Sequence, residues 1–153
     1  MIELKEGEKA PLIEGIDQNN NEVSLSDFSG TKLILYFYPK DNTPGCTAES
    51  CNLRDNYQLL MNAGFSILGV SPDSAEKHLK FIAKYDLPFP LLADTEQKVL
   101  TAYGVWGPKK FMGKDYIGVH RTTFIIDENG AIDKIFRKVK TKDHTNQILD
   151  AYK

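Results

Sequence analysis

The sequence predicts an α/β protein, with a central mixed β-sheet flanked by helices and an N-terminal β-hairpin. Residues 32–38 and 65–70 are nearly continuous apolar runs, as in strands buried on both faces, and a stretch of helical period lies between them. Further on, residues 119–126 and 131–137 are β-rich and are joined by Asp127-Glu128-Asn129-Gly130, whose Asn-Gly is a hairpin signal. Parallel pairing in the first half and antiparallel pairing in the second make the sheet mixed.

In chain order, residues 13–16 and 22–25 flank the turn-rich Asp17-Gln18-Asn19-Asn20-Asn21 and read as a short edge hairpin. Residues 26–30 form a loop or single helical turn before the central strand, which Pro39 ends because proline cannot donate to a ladder. From Thr47, Leu53, Tyr57, Leu60 and Met61 recur at helical spacing, predicting one long helix capped near Gly64. Ser71-Pro72-Asp73-Ser74 opens a second helix with His78, Phe81 and Ile82 on one face. A short strand at 91–93, a short helix at 96–103 and a terminal amphipathic helix carrying Ile148, Leu149 and Tyr152 complete the pattern. This order resembles the thioredoxin-like fold.

The 153 residues, 41% hydrophobic and 26% charged, suit a single domain over residues 1–153. A net charge of −2 gives no global reason to bind nucleic acid, and Lys109-Lys110 and Lys138/Lys140 are too sparse for a polyanion tract. Residues 1–10 lack a signal-peptide core and no window reaches the ~20 apolar residues of a membrane span, so a cytoplasmic protein is expected. Two cysteines are too few to staple this fold, and His78, His120 and His144 show no metal-ligand spacing with them. No cofactor or metal is expected.

Those cysteines fall together, in Thr43-Pro44-Gly45-Cys46-Thr47-Ala48-Glu49-Ser50-Cys51, after the central strand and where a helix begins. A cysteine at a helix start meets unpaired N–H groups and the positive dipole end, which favour the nucleophilic thiolate. A free cysteine is often a small buried hydrophobe. Here Cys46 follows Thr-Pro-Gly in a loop and Cys51 lies between Ser50 and Asn52, which favours exposure and reactivity. As a redox pair in an ideal helix, residues five apart sit roughly 8–9 Å apart and point about 140° away from each other. A disulfide needs Cα atoms within about 7 Å, so oxidation would require the first turns to unwind. Gly45, Thr47, Ser50 and Asn52 are poor helix formers, in keeping with such opening. Met61 and Trp106 read as packing residues.

The segment Phe37-Tyr38-Pro39-Lys40-Asp41-Asn42-Thr43-Pro44-Gly45-Cys46-Thr47-Ala48-Glu49 resembles the peroxidatic-cysteine segment of peroxiredoxins, in particular the bacterioferritin comigratory protein subfamily. Pro39, Thr43 and Cys46 fill the family pattern Pro-x-x-x-Thr/Ser-x-x-Cys, and Cys51 matches the resolving cysteine that this subfamily often places five residues on. Gly7-Glu8-Lys9-Ala10-Pro11, Leu25-Ser26-Asp27-Phe28, Val70-Ser71-Pro72-Asp73 and Arg121-Thr122-Thr123-Phe124-Ile125-Ile126-Asp127 also look like family landmarks.

The resemblance implies a thiol peroxidase: Cys46 attacks a hydroperoxide, becomes a sulfenic acid and condenses with Cys51, and thioredoxin or a similar dithiol reduces the disulfide. Arg121 matches the family's active-site arginine, whose fixed fork of donors suits a thiolate and peroxide oxygens. The Thr43 hydroxyl would bind the substrate, Pro39 would shield the thiolate, N–H groups at Gly45 and Cys46 would complete an anion nest, and Glu49 would orient an arginine. Taken singly, Arg121 reads as a surface ion pair and Thr43 as a cap; the shared reaction joins them. His120 is at most an outer neighbour of the site, His78 and His144 read as helix residues, and Arg54 reads equally as an orienting arginine or a surface charge. A monomer is expected. A general disulfide oxidoreductase would place two residues between its cysteines rather than four. A non-enzymatic redox sensor or redox-switched chaperone using the same pair is the alternative, separated by catalytic turnover.

Overall fold

The computed structural model describes residues 1–153. The N-terminal hairpin pairs β1 (Glu14–Ile16) with β2 (Glu22–Ser24), and Asp17 fastens its turn by accepting from the Asn19 and Asn21 N–H groups. After a 3₁₀ turn (Leu25–Phe28) come β3 (Lys32–Phe37), α1 (Pro44–Asp55), α2 (Tyr57–Asn62), β4 (Phe65–Ser71), α3 (Ala75–Tyr85), β5 (Leu91–Ala93) and α4 (Lys98–Ala102). Then follow β6 (Trp106–Phe111), β7 (Lys114–Val119), β8 (Thr122–Ile126), β9 (Ile132–Phe136) and α5 (His144–Asp150). Seven strands form one sheet in the order β2-β1-β5-β4-β3-β8-β9, parallel between β3, β4 and β5 and antiparallel elsewhere, so the sheet is mixed as expected.

Strand alternation divides the core between the two faces of the sheet. Leu33, Leu35 and Phe37 of β3 join Phe124 and Ile126 of β8 in one buried cluster, while Ile34, Tyr36 and Tyr38 join Ile125 in the other. This second cluster also takes in Cys46, Leu53 and Leu60 from α1 and α2, Phe81 from α3 and Ile148 from α5. The register opposes Tyr36 to Thr123, so Thr123 lies on the face that α1 and α5 cover. Gly69 is required where it stands: a Cβ there would lie 2.6 Å from a Leu91 methyl and 2.8 Å from the Tyr36 ring.

Four expectations change. The predicted long helix is two helices, because Asn56 turns its side-chain amide back to the Asn52 carbonyl at 2.8 Å and takes φ −112°, ψ 16°, breaking the run. The first helix starts at Pro44 rather than Thr47, with extended Thr43 before it and Pro44 at its first position. Residues 106–119, which carry no strand prediction before 119, form the separate β6–β7 ribbon, and β8 begins only at Thr122. The ribbon turns at Met112-Gly113, both at positive φ, so methionine fills a position where asparagine would have signalled a hairpin. Met61 is exposed rather than packed, whereas Trp106 packs against the core.

Candidate active site

Cys46 sits in the first turn of α1, and that turn is pressed onto the sheet, so the thiol is 1% exposed rather than open to solvent as its polar neighbours suggested. The first backbone bond of the helix runs from Thr47 N–H to the Thr43 carbonyl at 2.8 Å, so the Gly45 and Cys46 N–H groups come before the first helical donor and have no acceptor within the helix. Arg121, in the corner between β7 and β8, crosses to α1 and donates from Nη2 to Cys46 Sγ at 3.1 Å and from Nη1 to Glu49 Oε1 at 2.7 Å. Gly45 makes room for this approach, since a Cβ there would lie 3.3 Å from Nη2. Burial opposes the Arg121 charge, but the Glu49 and Cys46 charges and hydrogen bonds more than offset it and raise its pKa.

Glu49 is fully buried one turn further along α1. Burial pushes its carboxyl up to about 7, against the lowering pull of Arg121. Its Oε2 has no hydrogen-bond partner and lies 3.6 Å from His144 Nε2. The imidazole, also buried, meets Thr123 Oγ1 at 2.8 Å and Gln147 Oε1 at 2.9 Å, and burial holds it down at about 4.

The remaining candidates stand outside these contacts. Pro39 and Thr43 belong to the segment between β3 and α1, where the Thr43 hydroxyl donates to the Lys40 carbonyl at 2.8 Å. Cys51 is a free, half-buried thiol whose pKa burial raises, with Arg54 lowering it and Asp55 raising it. Arg54 is engaged by Asp55 and the Tyr85 carbonyl. His120 is adjacent to Arg121 in sequence but bonds the Pro108 carbonyl at 2.9 Å. A cavity of about 500 Å³ borders Arg121, His120 and Phe124 but not Cys46. Asp41, Asp73 and His78 bring metal-type donor atoms within 4.8 Å, yet protein hydrogen bonds engage each of them. The structure thus joins Cys46, Arg121, Glu49 and Gly45, and adds His144 and Thr123, which no sequence spacing links to the thiol.

Residues 7–135 match the AhpC/TSA family. The chain belongs to that family. Within it, the chain is 49% identical to peroxiredoxin Bcp of Bacillus subtilis over 147 residues, 96% of this chain and 94% of that one. It is 45% identical to peroxiredoxin Bcp of Escherichia coli K12, over 98% and 96% of the two chains. A cysteine variant of Xylella fastidiosa PrxQ superposes with a TM-score of 0.87 at 30% identity, covering 99% of this chain and 97% of that one. The bacterioferritin comigratory protein of Xanthomonas campestris, studied in trapped intermediate and ligand complexes for its alkyl peroxide reduction activity, superposes at 0.84 with 34% identity, over 91% and 88%. This peroxiredoxin therefore has the thioredoxin-like fold of its family and is a thiol-dependent peroxidase. No helix of it is long and apolar enough to cross a membrane.

Proposed function

We propose that Cys46 is the thiol that reduces hydroperoxides and that Cys51 resolves the oxidised product. The observation that carries this reading is the 3.1 Å bond from Arg121 to Cys46 Sγ, with Glu49 holding the other arm of the guanidinium at 2.7 Å. A cation bonded to sulfur stabilises the thiolate and stands ready for charge that develops on the departing oxygen. The thiolate attacks the outer oxygen of hydrogen peroxide or an alkyl hydroperoxide, the S–O bond forms as the O–O bond breaks, and the departing oxygen leaves as water or alcohol after taking up a proton. The Thr43 hydroxyl, while donating to Lys40, keeps lone pairs free to accept from the peroxide O–H. Pro39 contributes no N–H and screens the thiolate from water, and the Gly45 and Cys46 N–H groups favour its negative charge.

Cys51 then displaces the sulfenic oxygen as water and forms a disulfide with Cys46, which thioredoxin or a similar dithiol reduces. Because α1 is intact over both residues, that step unwinds its first turns. The protein works as a monomeric, single-domain cytoplasmic enzyme with hydroperoxide and dithiol as its partners. Peroxide consumption with thioredoxin and its reductase tests the assignment. Cys46→Ser abolishes turnover, Cys51→Ser leaves one oxidation and no intramolecular disulfide, and Arg121→Ala slows the first oxidation by roughly 10²–10³-fold. Undiminished turnover in Cys46→Ser would overturn the assignment.

A further inference from the structure

We propose that His144 is a positioning residue for this reaction: with Glu49 it holds one shared proton, and that proton leaves the Arg121 charge free for the Cys46 thiolate. The inference rests on Cys46 being the attacking thiol. It starts from the unequal treatment of the two Glu49 oxygens, both fully buried. Oε1 accepts from Arg121, whereas Oε2 is the one buried side-chain nitrogen or oxygen in the protein without a hydrogen-bond partner. Such an orphan is costly and rare, and here it faces a titratable ring.

The hydrogen-bond network around that ring assigns its tautomer. Gln147 Oε1 accepts from the Lys140 N–H at 2.9 Å and Gln147 Nε2 donates to the Lys138 carbonyl at 2.9 Å, so the atom that Gln147 turns to His144 Nδ1 is an acceptor. Nδ1 therefore carries hydrogen, and the neutral imidazole has its lone pair on Nε2. That lone pair meets the Thr123 hydroxyl at 2.8 Å and Glu49 Oε2 at 3.6 Å. The longer distance exceeds a formed hydrogen bond, as it should when a lone pair faces a carboxylate with nothing between them. One proton on Oε2 satisfies the orphan oxygen by donating to that lone pair, which it then shares with the Thr123 hydroxyl, and the gap closes by a few tenths of an ångström. The carboxyl, pushed up to about 7, keeps the proton on its side of the imidazole, which is held at about 4.

The groups facing the Glu49 carboxyl are Cys46 from its own helix, Tyr36 from β3, Arg121 before β8 and His144 from α5. Only Arg121 is a fixed cation. A Cys46 thiolate and a Glu49 carboxylate compete for that one guanidinium, so negative charge on either disfavours negative charge on the other. As Cys46 releases its proton to solvent, the Glu49–His144 pair takes one up, and the total charge of the site is unchanged. When peroxide removes the thiolate, the pair returns its proton while the departing oxygen gains one.

The test is the pH profile of the single-turnover oxidation by hydrogen peroxide, over about pH 5 to 8. His144→Phe moves the acid limb up by about one pH unit and lowers the rate about tenfold at pH values on that limb. His144→Gln, whose amide offers Oε2 either a donor or an acceptor, recovers most of the rate. In nitrogen-15 spectra of the histidines, the His144 Nε2 signal of reduced protein differs from that of Cys46→Ser, where no thiolate forms. A uniform loss of rate with an unshifted profile, or identical Nε2 signals in the two proteins, would overturn the proposal; the spectra decide it even where His144→Phe does not fold. Peroxide oxidation persisting in Cys46→Ser would instead sink the assignment of Cys46 itself.

Discussion

Two buried histidine–carboxylate pairs lie on this fold, and they are finished to different degrees. In the first, Asp41 accepts from Tyr38 at 2.6 Å and meets His78 Nδ1 at 2.7 Å, while His78 Nε2 donates to the Leu92 carbonyl at 2.9 Å. Asp73 closes the network by accepting from the Asp41 N–H and the Ser71 hydroxyl. No polar atom there lacks a partner. In the second pair, Glu49 and His144 stand 3.6 Å apart with one oxygen unserved. A saturated buried network rigidifies the structure around it, and here it anchors the loop that leads to Thr43 and α1. An unsaturated one beside Arg121 leaves room for a proton to come and go. Both pairs set a buried imidazole against a buried carboxylate; what separates them is the completeness of the hydrogen bonding around them.

The largest effect should come from breaking the complete pair. Asp41→Ala strands His78 and Tyr38 and costs about 3–5 kcal/mol of stability by urea denaturation, the range for removing one partner of a buried pair. Glu49→Gln keeps an oxygen for Arg121 and removes an unpaired one, so it costs about 1 kcal/mol or less. Equal losses in the two variants would break the contrast.

Neither pair is readable along the chain, although most of what surrounds them is. The strand β3, the hairpin at Asn129-Gly130 and the segment from Pro39 to Cys51 show themselves through apolar runs, turn chemistry and fixed spacing. Arg121 is legible only through its resemblance to a family landmark. His144 is 95 residues from Glu49 in sequence, and what joins them is the packing of α5 and β8 against α1, which no local pattern records. The burial of Cys46 was hidden for a related reason: its neighbours in sequence are polar, while its neighbours in space are Tyr36, Tyr38 and Leu53. Asn56 splits the long helix through one side-chain bond, and residue spacing cannot show that.

A second contrast lies in the pH dependence of stability. Glu49 is raised from 4.5 to about 7 on folding, so its contribution is complete at low pH and is lost as pH rises through 7. His144 is lowered from 6.5 to about 4, so its contribution is present above 6.5 and is lost as pH falls through 4. Between 4.5 and 6.5 each state binds one proton, on histidine when unfolded and on glutamate when folded, and the two slopes cancel. Wild-type stability should therefore be nearly flat across that window as far as this pair is concerned. Glu49→Gln, left with the histidine alone, should gain stability with rising pH by about 1.4 kcal/mol per pH unit relative to wild type. Parallel curves for the two proteins would show that the pair does not exchange a proton on folding.

The smallest effect concerns the tether that holds His144 in place. The α5 N-cap, Asp143, makes no capping bond with its own side chain; Asn52 of α1 caps the helix instead, accepting from the Thr145 N–H at 2.8 Å and donating to the Lys142 carbonyl at 3.1 Å. Asn52→Ala should cost about 1 kcal/mol, the usual value of a lost cap. Because Asn52 directly follows Cys51, unwinding far enough to join the cysteines must also strain or release this tether. The variant should then form the Cys46–Cys51 disulfide about fivefold faster after one equivalent of peroxide, which is 1 kcal/mol expressed as a rate. Quenched-flow trapping with mass spectrometry measures that rate. An unchanged rate in a destabilised Asn52→Ala would confine the unwinding to residues before 52, where the Ser50–Tyr36 hydroxyl contact at 2.9 Å becomes the next one that opening must break.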